Sequence, residues 1–164
     1  MFGSKRRRIG VAIGLAAVAA AVAIVALGSG GSSAPDPTTI AINRLCHTAR
    51  GEIEQAMQQD RSAFDSGNPS PLARVMFDAV GELQSQLGTL NVPTDKIEAT
   101  VELRERLIEA ETPILRLIKI PPRKRIPADA KELESIEAEV KSVASDRGFD
   151  ECARLSLSLP PLPS

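Results

Sequence analysis

Three features of the sequence predict an all-α protein: an N-terminal transmembrane helix followed by an antiparallel up-down four-helix bundle. Ile9–Leu27 is a run of nineteen residues without a charge. Beyond it, apolar residues recur at three- and four-residue steps through four long stretches, separated by Pro-, Gly- and Asn-containing breaks. That is the pattern of amphipathic helices. Aromatic residues make up 2% of the chain, with neither Trp nor Tyr. The core must then come from Leu, Ile, Val, Ala and Met, which favours close-packed helices over sheets.

The apolar run comes first. As a helix it spans roughly 28 Å, close to the ~30 Å hydrocarbon core of a bilayer. Lipid gives backbone groups no partner, so a helix is the form expected. Lys5, Arg6, Arg7 and Arg8 precede it directly, and such cations stay on the cytoplasmic side. Residues 1–8 are therefore expected in the cytoplasm and 9–27 in the plasma membrane, with the rest of the chain outside. A cleaved signal peptide, leaving a secreted protein, is the rival reading. Its apolar core is usually about 7–15 residues, and here the nearest small-residue site, Ser32-Ser33-Ala34, is followed by Pro35. Residues 28–37 (GSGGSSAPDP) form a Gly/Ser tether closed by two prolines, with a reach of about 17 Å.

Residues 38–154 hold the predicted bundle. The first helix runs from Thr38 to Phe64, with Ile42, Leu45/Cys46, Ala49, Ile53, Ala56/Met57 and Phe64 on one face. Ser66–Pro71 ends it with turn residues. Ser70 is placed to cap the second helix and Pro71 suits its first position; its stripe is Leu72, Val75/Met76, Ala79, Leu83, Leu87 and Leu90. After Asn91-Val92-Pro93, Thr94 is placed to cap a third helix with Ile97, Val101, Leu107/Ile108, Ile114/Leu115 and Ile118. Pro113 lies inside it, predicting a kink or a restart capped by Thr112. A fourth helix over 128–147 puts Leu133, Ile136, Val140 and Val143/Ala144 on one face, and Gly148 is placed to end it. The tail, 155–164, alternates Leu with Ser before a Pro-rich end. It reads first as an extended strip packed along the bundle near Cys152, with a free segment that docks into a partner, or a disordered end, as the alternatives.

Short connections imply antiparallel neighbours. Cys46, near the start of the first helix, and Cys152, just past the fourth, then share the membrane-proximal end. Two cysteines in an exported domain are a disulfide candidate by compartment, and this topology brings them together independently. A reactive thiol pair would call for C-x-x-C spacing, which is missing.

The basic N-terminus, the Ala-rich span, the Gly/Ser tether, INRLCHTAR (42–50) and RGFDECAR (147–154) together resemble a group of small actinobacterial envelope proteins of unknown function. These are single-span or lipid-anchored, with a Cys-bridged helical extracytoplasmic domain. The resemblance implies a Gram-positive-type plasma membrane and brings no activity and no site residues.

The residues carry little catalytic chemistry. His47 is the only histidine, and with both cysteines bridged no zinc-ligand set remains. Nucleophile elbow, P-loop and dinucleotide fingerprint are all missing from the sequence. The glutamates of the third and fourth helices include no Glu-x-x-His pair for a di-metal site. Glu102–Arg106 and Glu137–Lys141 have the spacing of ion pairs on a solvated face. An enzyme, a cofactor and a metal are therefore not expected. The part beyond the membrane holds 16 basic residues against all 21 acids, dispersed, which gives nucleic acid no footprint.

Arg123-Lys124-Arg125, between Pro122 and Pro127, is the one sharp cationic cluster outside the N-terminus. It is a candidate contact for anionic envelope polymer or an acidic protein. The functional expectation is an interaction or accessory protein of the cell envelope, tethered to the bilayer through Ile9–Leu27. Apolar helix faces left exposed once the core is subtracted would favour it. The alternative is a small-ligand carrier or sensor with a cavity between the helices.

Overall fold

Residues 36–119 and 126–160 are described by the computed structural model. Ile9–Leu27 and Arg123-Lys124-Arg125 lie outside the described residues. Among the described residues the structure is all-helical: α1 (Pro37–Gln59), α2 (Arg61–Asp65), α3 (Ser70–Thr89), α4 (Thr94–Ile118) and α5 (Ile126–Asp146), followed by a 3-10 turn at Cys152–Arg154. None of these helices is long and apolar enough to cross a membrane.

Local chemistry sets the boundaries. Asp36 caps α1: its Oδ1 accepts from the Thr39 N–H at 3.0 Å and its Oδ2 from the Thr39 hydroxyl at 2.7 Å. Pro37 supplies the first helical position, where a missing N–H costs nothing. The expected continuous helix to Phe64 is instead broken at Asp60 (φ −97°, ψ 8°). A straight helix would aim Asp60 into the stripe of Ile42, Cys46, Ala49, Ile53 and Ala56, and burying that carboxylate unpaired is costly. The break keeps it half-exposed while Phe64, on α2, is still buried.

Two Schellman motifs close helices on left-handed glycines. At Gly67 (φ +88°) the Asn68 N–H reaches the Ala63 carbonyl at 2.9 Å, and at Gly148 (φ +73°) the Phe149 N–H reaches that of Ala144 at 2.8 Å. Gly148 thus ends the last helix as expected. Two expected caps differ. Neither Ser70 nor Thr94 makes a side-chain cap; each is the first residue of its helix, after a proline. Asn68 Oδ1 accepts the Ser70 N–H instead, at 3.2 Å. α4 runs through Pro113 without a restart at Thr112.

α1 packs on α3, α3 on α4 and α4 on α5, but α1 and α5 do not approach each other within 8 Å between Cα atoms. The C-terminal segment occupies that seam. Leu155, Leu157 and Leu159 are buried, while Ser156 and Ser158 are half-buried. The predicted strip along the bundle is therefore the last piece of the core. Glu137 of α5 fastens it, its Oε2 accepting from the N–H groups of Leu157 and Ser158, each at 2.7 Å, and from the Ser158 hydroxyl at 2.6 Å. Glu137 was expected to pair with Lys141 on a solvated face. The unpaired N–H groups of an extended chain are a better partner, because they need an acceptor once buried.

The core is mostly Ala, Leu, Ile, Val and Met, with Phe64 and Phe149 fully buried at opposite ends. α4 departs most from expectation. Its buried residues are Ala99, Thr100, Leu103, Leu107, Ala110, Pro113, Ile114 and Leu117. Of the expected stripe, Leu107 and Ile114 are in the core and Ile97, Val101, Ile108 and Leu115 are outside it. Ala99 and Ala110 are on the buried side, where small residues allow neighbouring helices to pack closely.

Candidate functional site

Cys46 and Cys152 are joined, with an S–S distance of 1.98 Å and Cα atoms 4.9 Å apart. A polar frame surrounds the bridge. Asn43, one turn before Cys46, accepts the Glu151 N–H at 2.9 Å and donates to the Gly148 carbonyl at 3.3 Å. With the proton on Nδ1, exposed His47 donates to Glu151 Oε2 at 3.1 Å. Arg50 lies 3.2 Å from the same oxygen, and Arg154 reaches Oε1 at 3.1 Å. His47, followed by Arg50 and Arg154, holds the Glu151 carboxyl below its ordinary range. These bonds all run between α1 and the C-terminal segment or within that segment, so this cluster fastens the C-terminal segment to α1. Sequence reasoning missed Asn43 and Glu151, since their pairing depends on a contact across more than a hundred residues.

A second junction ties α4 to α1. Lys96 Nζ lies 2.6 Å from Asp36 Oδ2 and 2.7 Å from the Thr39 hydroxyl. Lys96, then Thr39, holds the Asp36 carboxyl far below the usual carboxylate range. Arg116 pairs with the buried Asp129 at 2.7 Å and with Glu132, linking α4 to α5; Asp129 first, then Glu132, raises its guanidinium further above its ordinary value. Arg106 binds Glu109 and Glu139, each within about 3.1 Å, and not the expected Glu102.

Concavities lie at the surface beside the tail. One of about 720 Å³ is lined by Met57, Arg61, Ser156, Ser158, Leu159 and Pro160. Among the described residues no group of three or more His, Cys, Asp or Glu is placed to hold a metal ion.

The outer face of α4 is different in kind. Ile97 is 47% exposed, Val101 44%, Ile108 48% and Leu115 39%. At 100° per residue these four positions fall within about 40° of one another, along a row roughly 27 Å long. Val101, Ile108 and Leu115 repeat at seven-residue spacing. Glu98, Glu102, Glu105 and Glu109 form a rail along one edge; Glu98, Glu105 and Glu109 are exposed and Glu102 is half-exposed. Among the described residues only Glu109 of these has an ion-pair partner. Arg104 borders the other edge, its guanidinium laid against α3 in the space left by Gly88, where an added Cβ would come within 3.1 Å of it. Half-exposed aliphatics scattered singly need no explanation, whereas these four are aligned on one face. The signal was in the sequence: Ala99, Leu103, Leu107, Ala110, Ile114 and Leu117 already make an unbroken stripe, leaving the other four as a second face. The chain matches no family model, no curated protein and no solved structure.

Proposed function

We propose that this chain is a membrane-anchored extracytoplasmic interaction or accessory protein of the cell envelope, with the outer face of α4 as its contact surface. The observation that carries the reading is the aligned, half-exposed row Ile97, Val101, Ile108 and Leu115 on a helix whose opposite face already fills the core. Keeping four aliphatics in water on one line lowers solubility and adds nothing to the fold, and a partner accounts for them. The Cys46–Cys152 bridge supports an oxidising compartment. Ile9–Leu27 behind four cations supports anchorage with the N-terminus in the cytoplasm. The resemblance to small actinobacterial envelope proteins agrees with both.

The test is site-specific photo-crosslinking in cells producing the full chain. The crosslinking residue is placed at Ile108 or, as an exposed control, at Ser135 on α5. A discrete protein adduct from position 108 that is missing from position 135 is the expected result. No adduct at 108, or the same pattern at both positions, would count against the assignment.

A further inference from the structure

The α4 face also carries information about its partner. Apolar row and acidic rail run side by side; Glu98 and Glu105 have no cation facing them among the described residues, while Arg106 pairs with Glu109 and its charge also acts on Glu102. From this charge pattern we propose that the face receives an amphipathic helix of a protein partner, with apolar residues at heptad spacing and a flanking row of Lys or Arg. The inference rests on the reading of α4 as a contact surface and adds the chemistry of what it contacts.

The geometry favours a helix as occupant. Val101, Ile108 and Leu115 occupy one heptad position, and such a row accepts knobs from a second helix crossing at a shallow angle. With Val101 at an a position, Glu98 and Glu105 fall at e, where coiled coils pair charges across the interface. A basic helix would therefore meet apolar residues with apolar residues and glutamates with ammonium or guanidinium groups.

The charges disfavour the other occupants. In an antiparallel pair of copies, like edges face each other, so the glutamate rail of one copy would oppose that of the next. In a parallel pair it would meet the edge bearing Arg104, which lies over α3, and Glu111. Neither arrangement neutralises the rail. Anionic lipid and anionic polymer would be repelled by it.

The test uses the full chain in zwitterionic lipid nanodiscs. Its probes are two designed helices of about four heptads, each with Leu at a and d, one with Lys and the other with Glu at e and g. Empty nanodiscs supply the baseline. The Lys helix is expected to bind and the Glu helix not, with binding weakened as salt rises from about 0.05 to about 0.5 M. Ile108→Ser should weaken the Lys helix about tenfold, and Glu98→Lys combined with Glu105→Lys should turn the preference toward the Glu helix. Equal binding of both helices, binding indifferent to Ile108→Ser, self-association abolished by Ile108→Ser, or Ile108-dependent binding to phosphatidylglycerol vesicles would each overturn the proposal. A crosslinked protein at position 108 with no preference for the Lys helix would remove the charge assignment and leave the contact surface standing. Loss of both would remove both.

Discussion

Replacing Leu157 by Ala tests whether the C-terminal segment belongs to the core. Leu157 is fully buried in the seam between α1 and α5, and its N–H donates to Glu137 at 2.7 Å. Substitution leaves that backbone bond in place, so the change isolates the side chain. Burying a leucine contributes about 1.5–3 kcal/mol, and the hole left behind adds to the loss. The seam has helix on two sides and a disulfide close by, which limits its collapse, so a value near 3 kcal/mol is expected. In a domain of this size that lowers Tm by on the order of 10 °C. Urea unfolding of the disulfide-intact chain in mild detergent, followed by far-UV circular dichroism, measures it. Ser156→Ala, at the neighbouring half-buried position, should stay within about 0.5 kcal/mol. The m-value should be unchanged in both. A loss below about 1 kcal/mol for Leu157→Ala would refute the view that the tail completes the bundle.

Three further outcomes follow from the same structure. Replacing Cys46 and Cys152 together by Ser opens a loop with a sequence separation of 106 and should cost about 4–5 kcal/mol by chain entropy, read as a lower urea midpoint. Asp36 and Glu151 both titrate below their ordinary range in the folded chain. Their contribution is therefore complete above the unfolded values near pH 4 and is lost as pH falls through the folded ones; urea midpoints should fall below about pH 4, with a shallower fall in Asp36→Asn. On α4, Leu107→Ala should cost about 2–5 kcal/mol while Ile108→Ser costs less than about 0.5, and reversed sizes would invert the assigned faces.

Much of the fold was legible because it is set by local periodicity. The stripes on α1, α3 and α5 follow one apolar repeat each, and their turns carry Pro or Gly with a defined backbone role. Gly148, for example, could be read as a terminator because few other residues tolerate φ +73°. α4 was harder because it has two apolar faces. Reading Leu107/Ile108 and Ile114/Leu115 as undivided pairs merged them, and large aliphatics outweighed Ala99 and Ala110, although it is the small residues that mark the packed side. The roles of Asn43, Glu137 and Lys96 were out of reach for a different reason. Each depends on a partner distant in sequence, and a charged or amide side chain has the same local pattern whether it meets water or a buried N–H.

The fastenings and the exposed aliphatic row of α4 occupy different sides of the bundle. The disulfide, the Asn43 bonds and the Glu137 clamp all act on the seam between α1 and α5. α4, between α3 and α5 in the packing order, is joined to its neighbours by core contacts and by pairs such as Lys96–Asp36 and Arg116–Asp129. None of these pairs draws on Ile97, Val101, Ile108 or Leu115. A bundle this poor in aromatic residues needs its seam closed to keep its core covered. It does not need the outer row at all. If the row binds a partner as proposed, substitutions in it should change binding with the fold unaltered, and substitutions in the seam should weaken binding only in proportion to the fraction of chains they unfold.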